Sequence, residues 1–281
     1  TDAAVIDPNT GLVTNATSGA TYTVEYTTTG ICPSTNAVTF DVLITDDPTF
    51  SVTPNCDGGT ANITGDTGGT FSFNPAPADT ANIDPNTGEV TGATPGATYT
   101  IEYVTSGACP SILALDLTVL TLDDPSFILD PTCDGATANI TGDTGGTFTL
   151  NPLPGDGATI DPNTGTITNG VSNTTYTVQY TTAGACPQTL AQDVTVLTSD
   201  DASFTVNPTC DGTTVTITGT AGGTFAFEVA PTDAAVIDPA TGEVTNGSPN
   251  TVYSITYTTS GVCPDTSAVD FTTLPIDDAS F

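Results

Sequence analysis

Cysteine and aspartate are the two residue types in this chain whose spacing could do chemistry. Cys32, Cys109, Cys186 and Cys263 stand 77 residues apart, and Cys56, Cys133 and Cys210 follow the same step. Two thiols per step can close disulfides, which points to an oxidising, extracytoplasmic setting. A thiolate metal site is the poorer reading, because no C-x-x-C pair occurs and neighbouring cysteines lie 24 or 53 residues apart. The pairs Asp46-Asp47, Asp123-Asp124, Asp200-Asp201 and Asp277-Asp278 could lend oxygen ligands to Ca²⁺ between domains. The competing reading is an acidic, solvated linker, since no D-x-D-x-D-G loop is present. The weak calcium set is therefore Asp46, Asp47, Asp123, Asp124, Asp200 and Asp201, and no other cofactor is expected.

The charge balance excludes several functions. The 281 residues include 32 Asp plus Glu and no Lys, Arg or His, a formal charge of −32. Salt bridges, phosphate clamps and nucleic-acid backbone binding all need cations. An anionic membrane surface would repel the chain. Without His or Lys no serine has a base to activate it, so no enzyme of a common mechanism is expected. Hydrophobic residues make up 37% of the chain, too many for a polyanionic disordered tail. No apolar run is long enough to span a bilayer; the longest, Ile112 to Leu120, is interrupted by Asp116.

The elements that must position these residues recur with the same 77-residue step. Tyr22 and Tyr26, Tyr99 and Tyr103, Tyr176 and Tyr180, and Tyr253 and Tyr257 obey it. The run Ala61 to Phe71 returns unchanged at Ala138 to Phe148, and Thr1 to Pro8 returns at Thr232 to Pro239. The expected organisation is a partial repeat over 1–45, complete repeats over 46–122, 123–199 and 200–276, and the start of another over 277–281. The sequence thus reads as a stretch from within a longer array.

Within one repeat the period is that of strands. Phe50 to Thr53 alternates, Cys56-Asp-Gly-Gly turns the chain, and Thr60 to Thr64 and Gly69 to Phe73 make two further short strands. Ala81 to Asp84 and Glu89 to Thr91 flank Pro85-Asn-Thr-Gly, a tight hairpin turn with Gly88 at the positive-φ position. The acids of this loop look superficially like metal ligands, but the same residues are what a turn demands. Thr98 to Val104 places Tyr99, Ile101 and Tyr103 on one face, where core packing is expected rather than a sugar platform. One tyrosine hydroxyl could cap a corner. Leu113, Leu115, Leu117 and Val119 alternate along a last strand. The expected fold is all-β: tandem immunoglobulin-like β-sandwich domains in a linear rod.

So small a domain calls for a covalent staple. Internal pairing would join Cys56–Cys109, Cys133–Cys186 and Cys210–Cys263, with Cys32 paired outside the sequence. The alternative, Cys32–Cys56, Cys109–Cys133 and Cys186–Cys210, would tie neighbours, with Leu113 to Val119 and Phe127 to Leu129 forming a hairpin. In a seven-strand sandwich the turn after the first strand and the turn before the last lie at opposite poles, which opposes internal pairing unless Ala81 to Asp84 only extends the third strand. Chain-entropy estimates of about 3.5 and about 4 kcal/mol do not decide between the registers. The reading leans narrowly to the internal one.

The signature Cys56-Asp-Gly-Gly, Gly69-Thr-Phe, Gly96-Ala-Thr-Tyr-Thr-Ile and Gly107-Ala-Cys-Pro, found again at Cys133-Asp-Gly, Gly146-Thr-Phe and Gly184-Ala-Cys-Pro and at Cys210-Asp-Gly, Gly223-Thr-Phe and Gly261-Val-Cys-Pro, resembles the tandem repeats of large gliding-motility surface adhesins of Bacteroidetes. The resemblance implies type IX secretion, display on the outer cell surface and movement by a gliding motor. It also implies that a substratum or surface polysaccharide is met by regions outside this sequence, and it offers no catalytic residues. The corresponding expectation is a spacer of a cell-surface adhesin filament. A structural appendage or surface-layer component, and a glycan-binding repeat, are the alternatives.

Overall fold

The computed structural model describes residues 3–277, and all regular structure among them is β-strand. The chain forms two compact units divided between Asp123 and Asp124. The first opens with β1 (Val5–Ile6), β2 (Val13–Thr14), β3 (Thr21–Thr27) and β4 (Thr35–Asp41). A complete set follows: β5 (Phe50–Pro54), β6 (Gly59–Ile63), β7 (Thr70–Phe73), β8 (Asn82–Ile83), β9 (Val90–Thr91), β10 (Thr98–Val104) and β11 (Ile112–Thr118). The second unit holds that set twice. One copy is β12 (Phe127–Pro131), β13 (Ala136–Ile140), β14 (Thr147–Leu150), β15 (Thr159–Ile160), β16 (Ile167–Thr168), β17 (Thr175–Thr181) and β18 (Thr189–Thr195). The other is β19 (Phe204–Pro208), β20 (Thr213–Ile217), β21 (Thr224–Phe227), β22 (Val236–Ile237), β23 (Val244–Thr245), β24 (Val252–Thr258) and β25 (Thr266–Thr272).

Each complete set makes one sheet of four strands and one of three, in the orders β5-β6-β9-β8 and β11-β10-β7 for the first copy. Every pairing is antiparallel. This partition of seven strands is that of a constant-type immunoglobulin sandwich. The short β8 pairs with β9 in the sheet opposite β7, so it does not extend the third strand and the count is seven. Within the second unit β18 pairs with β17 and β19 with β20, in separate sheets, so the inter-repeat hairpin of the alternative register does not form there.

Alternation along the longest strands builds the core. Tyr99, Ile101 and Tyr103 on β10 are 8%, 0% and 0% exposed, while Thr98 between turn and strand faces water. Phe50 of one sheet meets Phe71 and Tyr103 of the other at ring-centroid distances of 5.4 and 6.0 Å. The same triad recurs as Phe127, Phe148 and Tyr180 and as Phe204, Phe225 and Tyr257. Such offset and edge-on pairs each add about 0.5–1.5 kcal/mol beyond the area they bury.

The polar end of each central tyrosine is used as fully as its ring. The Tyr103 hydroxyl donates to the Asp66 carbonyl at 2.8 Å and accepts from the Gly69 N–H at 3.0 Å. It thereby closes the loop between β6 and β7. Tyr180 does the same with Asp143 and Gly146, and Tyr257 with Thr220 and Gly223. Among the described residues every buried side-chain polar atom has a partner. Glycine is required where the β5–β6 turn lies under β9: Gly58 has φ +154°, and a Cβ there would stand 2.2 Å from the Val90 carbonyl oxygen. The expected turn at Gly88 has φ +70°, as its hairpin demands.

Residues 3–45 supply only the last four strands of a set, as the pairs β1-β2 and β3-β4. Tyr26, Val38 and Phe40 occupy the positions of Tyr103, Leu115 and Leu117 but are 68%, 61% and 37% exposed. The core placement expected of Tyr99 and Tyr103 holds for both and for their equivalents Tyr176, Tyr180, Tyr253 and Tyr257, whereas Tyr26 belongs to the partial repeat, in which no β5–β7 equivalent covers it. The difference supplies a control. Tyr180→Phe should lower the stability of its repeat by about 1–3 kcal/mol, since it orphans a carbonyl and an N–H, whereas Tyr26→Phe should change urea midpoints by nothing measurable.

Candidate functional site

The residues with chemical potential collect at the two ends of each sandwich. At one end stand the first residue of the repeat and the turn between β10 and β11. The Asp46 N–H donates to the Cys109 carbonyl at 3.0 Å, and the Gly107 N–H donates to Asp46 Oδ2 at 2.7 Å. A Cβ on Gly107 would fall 2.4 Å from that carboxylate, which accounts for glycine in the Gly-x-Cys-Pro turn. Asp47 closes the neighbouring loop, exchanging its N–H with Asp66 Oδ2 and its carbonyl with the Asp66 N–H at 2.8 and 2.7 Å. Asp124 and Asp143 repeat that clasp, and Asp201 makes it with Thr220.

At the other end lie the turn between β5 and β6 and the last residues of the repeat. The Leu120 N–H donates to the Asn55 carbonyl at 3.1 Å, and the Ala93 N–H to the Asp57 carbonyl at 3.0 Å. Cys56 is in this turn, so the two cysteines of a repeat face away from each other, a strand length apart. A seven-residue strand spans roughly 23 Å, and a disulfide needs Cα atoms within about 7 Å.

The bridge that forms joins one sandwich to the next. Cys133, in the β12–β13 turn, is bonded to Cys263, in the β24–β25 turn, with Cα atoms 5.4 Å apart and a sequence separation of 130. Cys263 is only 3% exposed. Cys56 and Cys186 are disulfide-bonded as well, and Cys32, Cys109 and Cys210 are free. Both expected registers are thereby corrected. Cys56–Cys109, Cys210–Cys263, Cys32–Cys56, Cys109–Cys133 and Cys186–Cys210 each include a free cysteine, and Cys133–Cys186 would need the partner that Cys263 supplies. The pole argument was right, and it excludes the internal register without favouring the hairpin one.

The linker beside this bridge is held along its length. The Leu197 N–H donates to Thr132, in the Cys133 turn, at 3.0 Å, and the Ser199 N–H donates to Ser172 Oγ at 2.9 Å. One residue later the Asp200 N–H donates to the Cys263 carbonyl at 2.9 Å, and Asp200 Oδ2 accepts from Gly261 N–H at 2.9 Å. Backbone and disulfide thus connect the two sandwiches at two separate points.

The weak calcium candidates are engaged with their own repeats. Asp46 and Asp200 cap turns; Asp47, Asp124 and Asp201 cap the residue two positions on and clasp a loop through the backbone. Asp123 has contacts of its own. No group of three or more acidic or thiol residues among the described residues is arranged to hold a metal. Asp278, of the last Asp-Asp pair, lies outside the described residues. The loop carboxylate Asp84 caps the N–H groups of Asn86 and Thr87 at 2.8 and 3.2 Å, the turn reading of that motif.

One acidic position went unnoticed in the sequence. Asp79, Asp156 and Asp233 accept hydrogen bonds from the hydroxyls of Tyr99, Tyr176 and Tyr253, while those oxygens accept the N–H of Thr94, Val171 and Ser248 five residues upstream. This is a tyrosine corner with a carboxylate added. The signal was there, since the three aspartates obey the 77-residue step. The Thr94 hydroxyl and then Tyr99 hold the Asp79 carboxyl down at about 2, from an ordinary 3.8. Tyr253 and Ser248 lower Asp233, and Tyr176 lowers Asp156.

Comparison with known proteins found no matching family model and no matching curated protein. Solved structures similar to the chain include the protocadherin gammaB7 EC3-6 cis-dimer, at 13% identity over 97% of this chain and 88% of that one, with a TM-score of 0.29. Human CDH23 EC21-23 is 18% identical over 79% and 99%, with a TM-score of 0.28. Mouse cadherin-23 EC22-24 is 14% identical over 82% and 94%, with a TM-score of 0.25. Likenesses this low carry no argument about function, and the fold assignment rests on the sheets described above.

The corner carboxylates give the molecule a defined acid response. A carboxyl whose folded value lies below its unfolded one contributes stability above the unfolded value and loses it as pH falls through the folded value. Thermal stability should therefore hold from neutral pH to about 4 and decline between about 4 and 2. Tyr99→Phe together with Tyr253→Phe should flatten that decline, as followed by circular dichroism melts across the pH range.

Proposed function

We propose that this chain is a force-bearing spacer of an extracellular adhesin filament, its repeats transmitting tension between a cell and its substratum in gliding motility. The observation that carries the reading is the two-point joint of Cys133–Cys263 and the clamped linker, which couples successive sandwiches covalently outside the main chain. A role as spacer requires no active site. It does require that units can be added without redesign, and units that interact only with neighbours allow this. Each sandwich would add about 35–40 Å to a stack. The charge of −32 discourages collapse and lateral adhesion, within a screening length of about 8 Å at physiological salt. The absence of Lys and Arg leaves trypsin-type proteases nothing to cut. Disulfides fit an oxidising location at the cell surface, and the repeat signature resembling gliding adhesins supports export by type IX secretion and coupling to the gliding machinery.

Two measurements test the two halves of this reading. Pulled from its ends in a Cys186→Ser background, the chain with Cys133–Cys263 closed should hide the intervening segment, so its fully unfolded length should be shorter by about 430–470 Å than that of the same chain carrying Cys263→Ser as well. Equal lengths would remove the joint from the load path. On the native bacterium, labelled antibody against the repeat should travel along the cell body. A fixed signal would transfer the chain to a static appendage or coat.

A further inference from the structure

We propose that the end of the fourth repeat around Cys210 is a preformed docking site for another copy of this repeat, received through its Gly-x-Cys-Pro turn and locked by a disulfide to Cys210. The proposal is independent of whether the array carries force in gliding. It stands on a comparison between an occupied and an unoccupied version of the same surface within one molecule. Around Cys133, which is bonded to Cys263, the Thr132 N–H donates to the Gly135 carbonyl at 3.0 Å, Leu197 N–H to Thr132 at 3.0 Å and Gly170 N–H to Asp134 at 2.7 Å. Around Cys210 the corresponding bonds are Thr209 to Gly212 at 2.9 Å, Leu274 to Thr209 at 2.8 Å and Gly247 to Asp211 at 2.7 Å. The backbone of the turn thus makes the same hydrogen bonds in both places. Cys210 itself is exposed, its Sγ 3.9 Å from the Pro275 carbonyl, whereas Cys133 Sγ lies 3.4 Å from the Val262 carbonyl of the turn it has received.

The incoming half is also preformed before it is paired. Cys109 is free, yet its turn is clamped by Asp46 through the same two bonds with which Asp200 clamps the turn of Cys263. Two ends that hold their paired geometry when unpaired lose little conformational freedom on joining. Closure needs an oxidant. Two thiols lose two protons and two electrons to a small-molecule disulfide, which leaves as two thiols while one S–S bond forms in the protein.

The test is the full chain continued directly after residue 276 by one further copy of residues 200–276 that carries Thr205→Ser and Val262→Ile, so that its cysteine peptides differ in mass from the native ones, folded in oxidised and reduced glutathione. Non-reducing peptide mapping should recover Cys210 linked to the Gly-x-Cys-Pro cysteine of the added copy, in a monomer, alongside Cys133–Cys263. Cys210→Ser should leave the added cysteine free to alkylate with no change in secondary structure. Cys133–Cys263 serves as the internal control for folding and oxidation. If that bond is closed and Cys210 is found free, bonded within its own repeat or bonded to a second chain, the proposal is wrong.

Discussion

Seven antiparallel strands carry the chain in at one end of a sandwich and out at the other, and most of the site follows from that odd number. The first residues of a repeat arrive beside the β10–β11 turn, as the Asp46 N–H bonded to Cys109 records, and the last residues leave beside the β5–β6 turn, as Leu120 bonded to Asn55 records. The two cysteine turns are therefore placed where one repeat ends and where the next begins. Neither can reach the other within a repeat, and each is presented to a neighbour. A sandwich of six strands would return the chain to the pole it entered, and the same two cysteines would then staple the domain to itself.

A second constraint is chemical. With no cation in the chain, every carboxylate must be solvated or held by neutral donors. The structure uses N–H and hydroxyl groups throughout: junction aspartates cap turns, Asp84 caps its own hairpin, and Asp79, Asp156 and Asp233 accept hydrogen bonds from tyrosine hydroxyls. Hydrogen bonds to a charged acceptor are worth more than neutral ones. They also tolerate salt better than exposed ion pairs, whose attraction is screened within about 8 Å.

Much of this was legible in the sequence because the relevant signals are local. The β10 strand reads from the alternation of Tyr99, Ile101 and Tyr103, and the hairpin at Gly88 from its turn residues, each requiring only a few neighbours. The corner carboxylates were legible in principle through their period, but an aspartate in a loop gives no sign of a hydroxyl 20 residues away that lies on the opposite side of a corner.

The sequence by itself determined the 77-residue unit, its strands, its buried tyrosines and an oxidising chemistry with two thiols per unit, since composition and period carry that information directly. Only the tertiary structure decided which thiols meet. The choice depends on which sheet β8 joins, hence on whether a repeat has six strands or seven, and two residues of strand cannot settle that by alternation. Once β8 pairs with β9 the poles separate, Cys133 faces Cys263, and a staple that looked local becomes the joint between domains.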